Sequence, residues 1–305
     1  MYQEHFGLHE RPFSLTPDTQ FFFNKRSHRD ALNTLLLALR HSEGFVKISG
    51  EVGTGKTMLC RKLLNSLGDE YITAYIPNPY LTPDELKWFL ASEIGVEYDK
   101  SVPAYKLLDD IYKRLLTLAQ ERRQVVLVVD EAQAMPRESI EALRLLTNLE
   151  TEKRKLLQVV LLGQPELDEM LERPDLRQLK QRIVFSEVLK GFDLKDTRQY
   201  IAYRLASAGY SGSELFSQSS TRLLYKASGG IPRLMNILAH KAMLSAYGRG
   251  DQSVTRTHVI SAIKDTGESR LQGRLSASGA VFLWPVLGAL SALAVVGVPR
   301  LMGVW

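Results

Sequence analysis

The stretch that most limits what this chain can become is GEVGTGKT, Gly50–Thr57, because of what flanks it. FVKISG, a short β-rich segment, runs into it, and KTMLCRKLLNSLG, apolar at helical spacing, runs out. Strand, glycine turn and helix in that order, with the pattern G-x-x-x-x-G-K-[ST], predict a phosphate-binding loop. A backbone curling through Gly50, Gly53 and Gly55 can turn its N–H groups onto phosphate oxygens, and the helix N-terminus adds favourable potential. Gly50, Glu51, Val52, Gly53, Thr54, Gly55, Lys56, Thr57 and Met58 are therefore the expected nucleotide-binding set. Lys56 would bring its ammonium to the β- and γ-phosphates, and the Thr57 hydroxyl would ligate Mg²⁺.

Hydrolysis needs a carboxylate at the end of a neighbouring strand, and VVLVVDEAQ supplies two. Asp130 ends an almost unbroken β-branched run, the composition of a strand buried on both faces, where it can hold Mg²⁺. Glu131 follows at once, placed to orient or deprotonate the attacking water. The next apolar run, LLQVVLLG (Leu156–Gly163), leads to Gln164. That amide is expected between the strand of the loop and the strand of the acids, within reach of a γ-phosphate or the water. The implied ligands are ATP and Mg²⁺.

Around these motifs strands alternate with helices: YITAYIP, the helix PDELKWFLASEIG opened by Pro83, a helix over Ala104–Glu121, RESIEALRLLTNLE and a shorter strand from Ile183. That alternation predicts an α/β fold, a parallel sheet flanked by helices. After about Phe192 the pattern becomes four helical segments separated by Gly and polar turns, an all-helical domain with no sheet. One cysteine among 305 residues excludes an intramolecular disulfide, and no Cys/His cluster has metal-ligand spacing. The N-terminus lacks a basic-then-apolar order, so no secretory signal is expected and the bulk of the chain reads as cytoplasmic. A net charge of +5 permits contact with nucleic acid or anionic lipid without arguing for either.

FGL, PFSLTPD, GEVGTGKT, VDEAQ, LLGQPEL, QRI and GGIPR, in this order between Tyr2 and about Gly267, resemble the ExeA/GspA type of AAA+ ATPase, which serves bacterial type II secretion. Related members serve assembly of the mannose-sensitive haemagglutinin (MSHA) pilus. The resemblance implies a P-loop AAA+ core over 1–191, a C-terminal helical lid over 192–267, and a homo-oligomeric ring, hexameric in the family, with ATP between subunits. It makes Arg233, in GGIPR, the lid arginine that reads the γ-phosphate. It makes Arg182, in LKQRI, the arginine finger offered to the neighbouring subunit, with Arg177 as the alternative and Arg173 close by.

The end of the chain raises a separate question. No charge occurs from Leu275 through Pro299, and 280–298 is long enough for a single transmembrane helix after a linker over 268–279, leaving 299–305 as a short tail. Lys264, Arg270 and Arg274 before the segment, against Arg300 after it, place the ATPase on the cytoplasmic side of the bacterial inner membrane. The other reading is a hydrophobic helix packed on the lid or on a partner. Longer family members continue into a peptidoglycan-binding domain, so a chain stopping at Trp305 is expected to be the short, MSHA-type form. The expected partners are inner-membrane pilus or secretion components. The rival reading is a DNA-handling AAA+ ATPase of the transposition or initiator type. The absence of a recognisable DNA-binding extension after the lid argues against nucleic acid as a partner.

Overall fold

The computed structural model describes residues 2–16, 21–23, 25–97, 104–151, 154–267 and 269. The expected transmembrane helix 280–298, the tail 299–305 and nearly all of the linker 268–279 lie outside them. Among the described residues no helix is long and apolar enough to cross a membrane.

Two compact units result. One comprises Leu15–Phe192 together with Ile231–Arg233; the other comprises the segment ending at Ser14, Asp193–Gly230, and Leu234 onward.

The first unit is built on five strands: β1 Phe45–Gly50, β2 Tyr71–Ile76, β3 Gln124–Val129, β4 Leu157–Gly163 and β5 Ile183–Leu189. They lie in the order β2-β3-β4-β1-β5, and every pairing is parallel. Alternate side chains of one strand feed two cores, as period-2 geometry requires. Val125, Leu127 and Val129 enter one apolar cluster with Leu157, Val159 and Leu161. Val126 and Val128 enter the other with Val46, Ile48, Val160 and Leu162. This is why the run at 125–129 carries no polar residue.

The first cluster is covered by α4 (Pro83–Glu93), α5 (Ala104–Gln120), α6 (Arg137–Leu146) and α7 (Pro165–Leu171). The second is covered by α2 (Arg26–Arg40) and α3 (Lys56–Leu64). Helix α2 was not anticipated above, although Ala31, Leu35, Ala38 and Leu39 are buried at helical spacing. Its start carries no side-chain cap, so the usual N-terminal punctuation is missing. Helix α4 has that punctuation in full. The Thr82 hydroxyl accepts from the Glu85 N–H, the Glu85 carboxylate accepts from the Thr82 N–H, and Pro83 opens the first turn. The one charge inside β1, Lys47, is neutralised by an ion pair to Asp168 on α7. The four-residue α8, Arg177–Lys180, leads into β5.

The second unit contains α9 (Leu194–Ser207), α10 (Gln218–Ser228), most of α11 (Pro232–Arg249) and α12 (Arg256–Lys264), the four helical segments read from the sequence. Its only strand-like feature among the described residues is an isolated bridge, Phe216 to Val254. The N-terminal segment belongs here, whereas the sequence reading assigned it to the core. Following α1 (Tyr2–His5), Phe6, Leu8 and Phe13 are all buried. The buried Arg204 donates to the carbonyls of Pro12 (2.5 Å) and Ser14 (3.1 Å), and the His9 N–H donates to the Ala208 carbonyl at 2.9 Å.

Candidate active site

In a parallel sheet the strand ends that share a direction gather functional groups at one edge. At this edge β1 delivers the loop Gly50–Thr57, β3 delivers Asp130 and Glu131, and β4, lying between them, delivers Gln164. The sheet order thus brings together groups more than a hundred residues apart in sequence.

The loop folds back on its own lysine. Lys56 Nζ donates to the carbonyls of Gly50 (2.6 Å) and Glu51 (3.1 Å). Burial pulls its pKa down, opposed by the negative charges of Glu131, Asp130, Glu51 and Glu166. Gly53 lies in the left-handed region at φ 79°, and a Cβ there would fall 2.5 Å from the Cβ of Arg233. Only glycine fits. Arg233 reaches the loop through its main chain, its N–H donating to the Gly53 carbonyl at 3.2 Å, while its side chain is exposed. Val52 also exposes its side chain.

The two expected metal ligands meet. Thr57 Oγ1 donates to Asp130 Oδ2 at 2.9 Å. Asp130 is buried, and its other oxygen, Oδ1, accepts the Glu131 N–H at 3.0 Å. Tyr75, on β2, adds a longer bond to Oδ2 at 3.4 Å. Burial and the adjacent Asp130 push the Tyr75 phenol up to about 12, so it remains a donor. A hydroxyl beside a buried carboxylate is a hard-oxygen pair that fits Mg²⁺, which takes one or two protein oxygens and completes its shell with phosphate and water.

Glu131 is held with unusual care. Its main chain adopts φ 51°, ψ 39°, a left-handed conformation rare outside glycine. Its Oε2 accepts from Gln164 Nε2 (2.9 Å) and from Gln133 Nε2 (2.7 Å), and Gln133 Oε1 accepts the Gln164 N–H at 3.0 Å. Burial would raise the carboxyl pKa. The two amide donors and Lys56 outweigh it, and the group is held below the usual glutamate range. Sequence reasoning found Gln164 but missed Gln133, which nothing in the local pattern VDEAQ marks as a partner of Glu131.

Arg182 is not brought to this cluster. It precedes β5, whose first residue Ile183 pairs with Phe45, the first residue of β1. It therefore stands at the opposite end of the strands, roughly 17 Å of strand rise from the loop. Its guanidinium donates to the Arg144 carbonyl (3.0 Å) and the Thr147 hydroxyl (3.2 Å). Arg177 opens α8, the short helix that precedes β5.

A glycine loop at the end of β1, acids at the end of β3 and a polar residue at the end of β4, on a parallel sheet flanked by helices, define an α/β P-loop domain of AAA-type fold. Residues 39–171 match the AAA domain family. The chain is also 42% identical over 274 residues to General secretion pathway protein A of Aeromonas hydrophila, a match covering 88% of this chain and 50% of that relative. The resemblance to the ExeA/GspA type is borne out over the matched residues, and the chain spans about half the length of that relative. Among solved structures, the Aeropyrum pernix ORC2 protein in ADPNP–ADP complexes is similar with a TM-score of 0.60 and 17% identity, covering 84% of this chain and 71% of that one. The Aeropyrum pernix ORC1 protein in complex with DNA is similar with a TM-score of 0.59 and 20% identity, covering 84% and 69%. At such identities the likeness is one of fold.

Proposed function

We propose that this protein is a Mg²⁺-dependent ATPase that works as a homo-oligomeric ring, tied to the bacterial inner membrane through 280–298, with its ATPase units on the cytoplasmic side. Its task in this reading is to assemble or operate a type II secretion machine or an MSHA-like type IV pilus. The observation that carries the catalytic part is the convergence of Lys56, Thr57, Asp130, Glu131 and Gln164 at one sheet edge. The secretion part is supported by the 42% identity to General secretion pathway protein A, and the anchor by nineteen residues without charge at 280–298.

In this mechanism the loop N–H groups and Lys56 hold the polyphosphate, and Thr57 and Asp130 would hold Mg²⁺, which would supply charge neutralisation on the phosphates. Glu131, ionised at neutral pH, orients the attacking water and takes its proton. Its Oε2 is occupied by two amides, which leaves Oε1 for the water. Gln164 links Glu131 to the γ-phosphate position, Arg233 reads that phosphate from the start of α11, and Arg182 acts on the site of the next subunit.

The test is ATP turnover by the full chain in detergent or vesicles, with Lys56→Ala as the control. Binding and turnover should both fall by at least about a hundredfold in the variant. Turnover equal to wild type would remove the loop from the mechanism. Adding duplex DNA to the same assay tests the rival reading: strong, salt-sensitive stimulation would favour a DNA-handling ATPase.

A further inference from the structure

We infer that His28, which belongs to none of the motifs above, is a positioning residue of the phosphate loop: it aims the Gly55 amide at the polyphosphate of the nucleotide. The inference rests on the reading of the loop as an ATP site. His28 lies in the first turns of α2 and is buried, and its Nε2 is 2.9 Å from the Thr54 carbonyl oxygen. A carbonyl oxygen only accepts, so Nε2 carries the hydrogen and donates it. Nδ1 is then the acceptor of the neutral ring, with the Ser27 hydroxyl 3.4 Å away.

The consequence follows from peptide planarity. In a trans peptide the C=O of one residue and the N–H of the next point in opposite directions across the plane, and no peptide bond among the described residues is cis. Drawing the Thr54 carbonyl toward α2 therefore turns the Gly55 N–H to the other side. No protein acceptor takes that N–H among the described residues. Gly55 sits at φ 105°, where side chains are strained, and a Cβ there would come within 3.1 Å of His28 Nε2. The loop glycine and the histidine are thus fitted to each other.

The ring is also fixed from the sides. Phe22 meets it edge-on with centroids 6.3 Å apart, and Phe192 lies 5.9 Å away at 59°. Phe192 is braced in turn by Phe23 at 5.6 Å and by the Lys25 ammonium 5.1 Å above its ring. An imidazole clamped between aromatic rings cannot swing off the carbonyl without opening this cluster. It donates from Nε2 in both its neutral and protonated forms, so the anchor does not depend on the ring's charge.

The experiment compares wild type, His28→Phe, His28→Gln and His28→Asn in the full chain, measuring competition of ATP and of inorganic tripolyphosphate against a fluorescent ATP analogue. A terminal Gln amide can reach the Thr54 carbonyl from the Nε2 position; Asn is one bond too short, and Phe has no donor. We expect affinity for both ligands to fall roughly tenfold in His28→Phe and His28→Asn. His28→Gln should stay within about threefold of wild type. If His28→Phe does not fold, the Gln and Asn pair decides alone. Unchanged affinity in the donor-less variants overturns the inference, as does a loss for ATP with tripolyphosphate unaffected, which would put His28 to work on the base or sugar. Failure of wild type to bind either ligand would instead count against the ATP-site reading itself.

Discussion

Glu131 concentrates the residue-scale question, because two amides donate to one of its oxygens while its main chain is strained. Its pKa is depressed, so the ion is favoured by the fold at every pH above the ordinary glutamate value, and that contribution is lost as pH falls through the lower, folded value. Neutral pH lies above both, and the acid is a ready base. Replacing Gln133 or Gln164 with Leu removes a donor and lets burial dominate. The pKa of Glu131 should rise, and the acid limb of the turnover–pH profile should move to higher pH. Turnover at neutral pH should fall roughly tenfold for either variant, with ATP affinity little changed. A profile identical to wild type would mean the amides do not hold the working form of Glu131. The acid and Gln164 were legible in the sequence because each ends an apolar run. Gln133 was not, since a glutamine within a short turn announces nothing until the partner it bonds is known. His28 was hidden more deeply: it precedes Thr54 by 26 residues, and the packing of α2 in the same core cluster as β1 and α3 brings it there.

At the scale of elements, the strands were legible because burial on both faces demands unbroken apolar residues, and β3 and β4 show that composition. β5 was read more weakly for the same physical reason. It is an edge strand with Val184 and Val188 exposed, so its pattern is mixed. Helix α4 was marked by Pro83 at its start and α2 had no such signal, although both bury an apolar stripe. Thr82→Ala removes the α4 cap and should cost about 1 kcal/mol in urea unfolding, with the slope unchanged. A loss indistinguishable from zero would mean that Leu86 and Leu90, both buried, hold this helix without help from its cap.

On the scale of the whole molecule, the FGL and PF segments carried the family resemblance, yet their physical work lies in the helical unit, where Phe6, Leu8 and Phe13 are buried. Nothing in their local pattern reveals this, because the partners come from α9 onward. Arg182 poses the related question of action between subunits. If it serves the neighbour's site, Lys56→Ala and Arg182→Ala subunits should each be inactive alone, and mixing them should restore part of the turnover. No recovery on mixing would assign Arg182 to the local support of Arg144 and Thr147. Cys60 offers a probe of global opening. It is fully buried, and burial followed by the charge of Asp130 pushes its thiol up to about 12. Thiol reagents should therefore modify it only at the rate of unfolding, and saturating ATP should slow that rate.

The central claim is that this edge of the sheet binds ATP and that Glu131 turns it over. The most direct measurement is ATP binding and ATP hydrolysis in Glu131→Gln, which keeps the shape and removes the base. The account predicts wild-type affinity with turnover reduced by about a hundredfold or more. Wild-type turnover in that variant would contradict it.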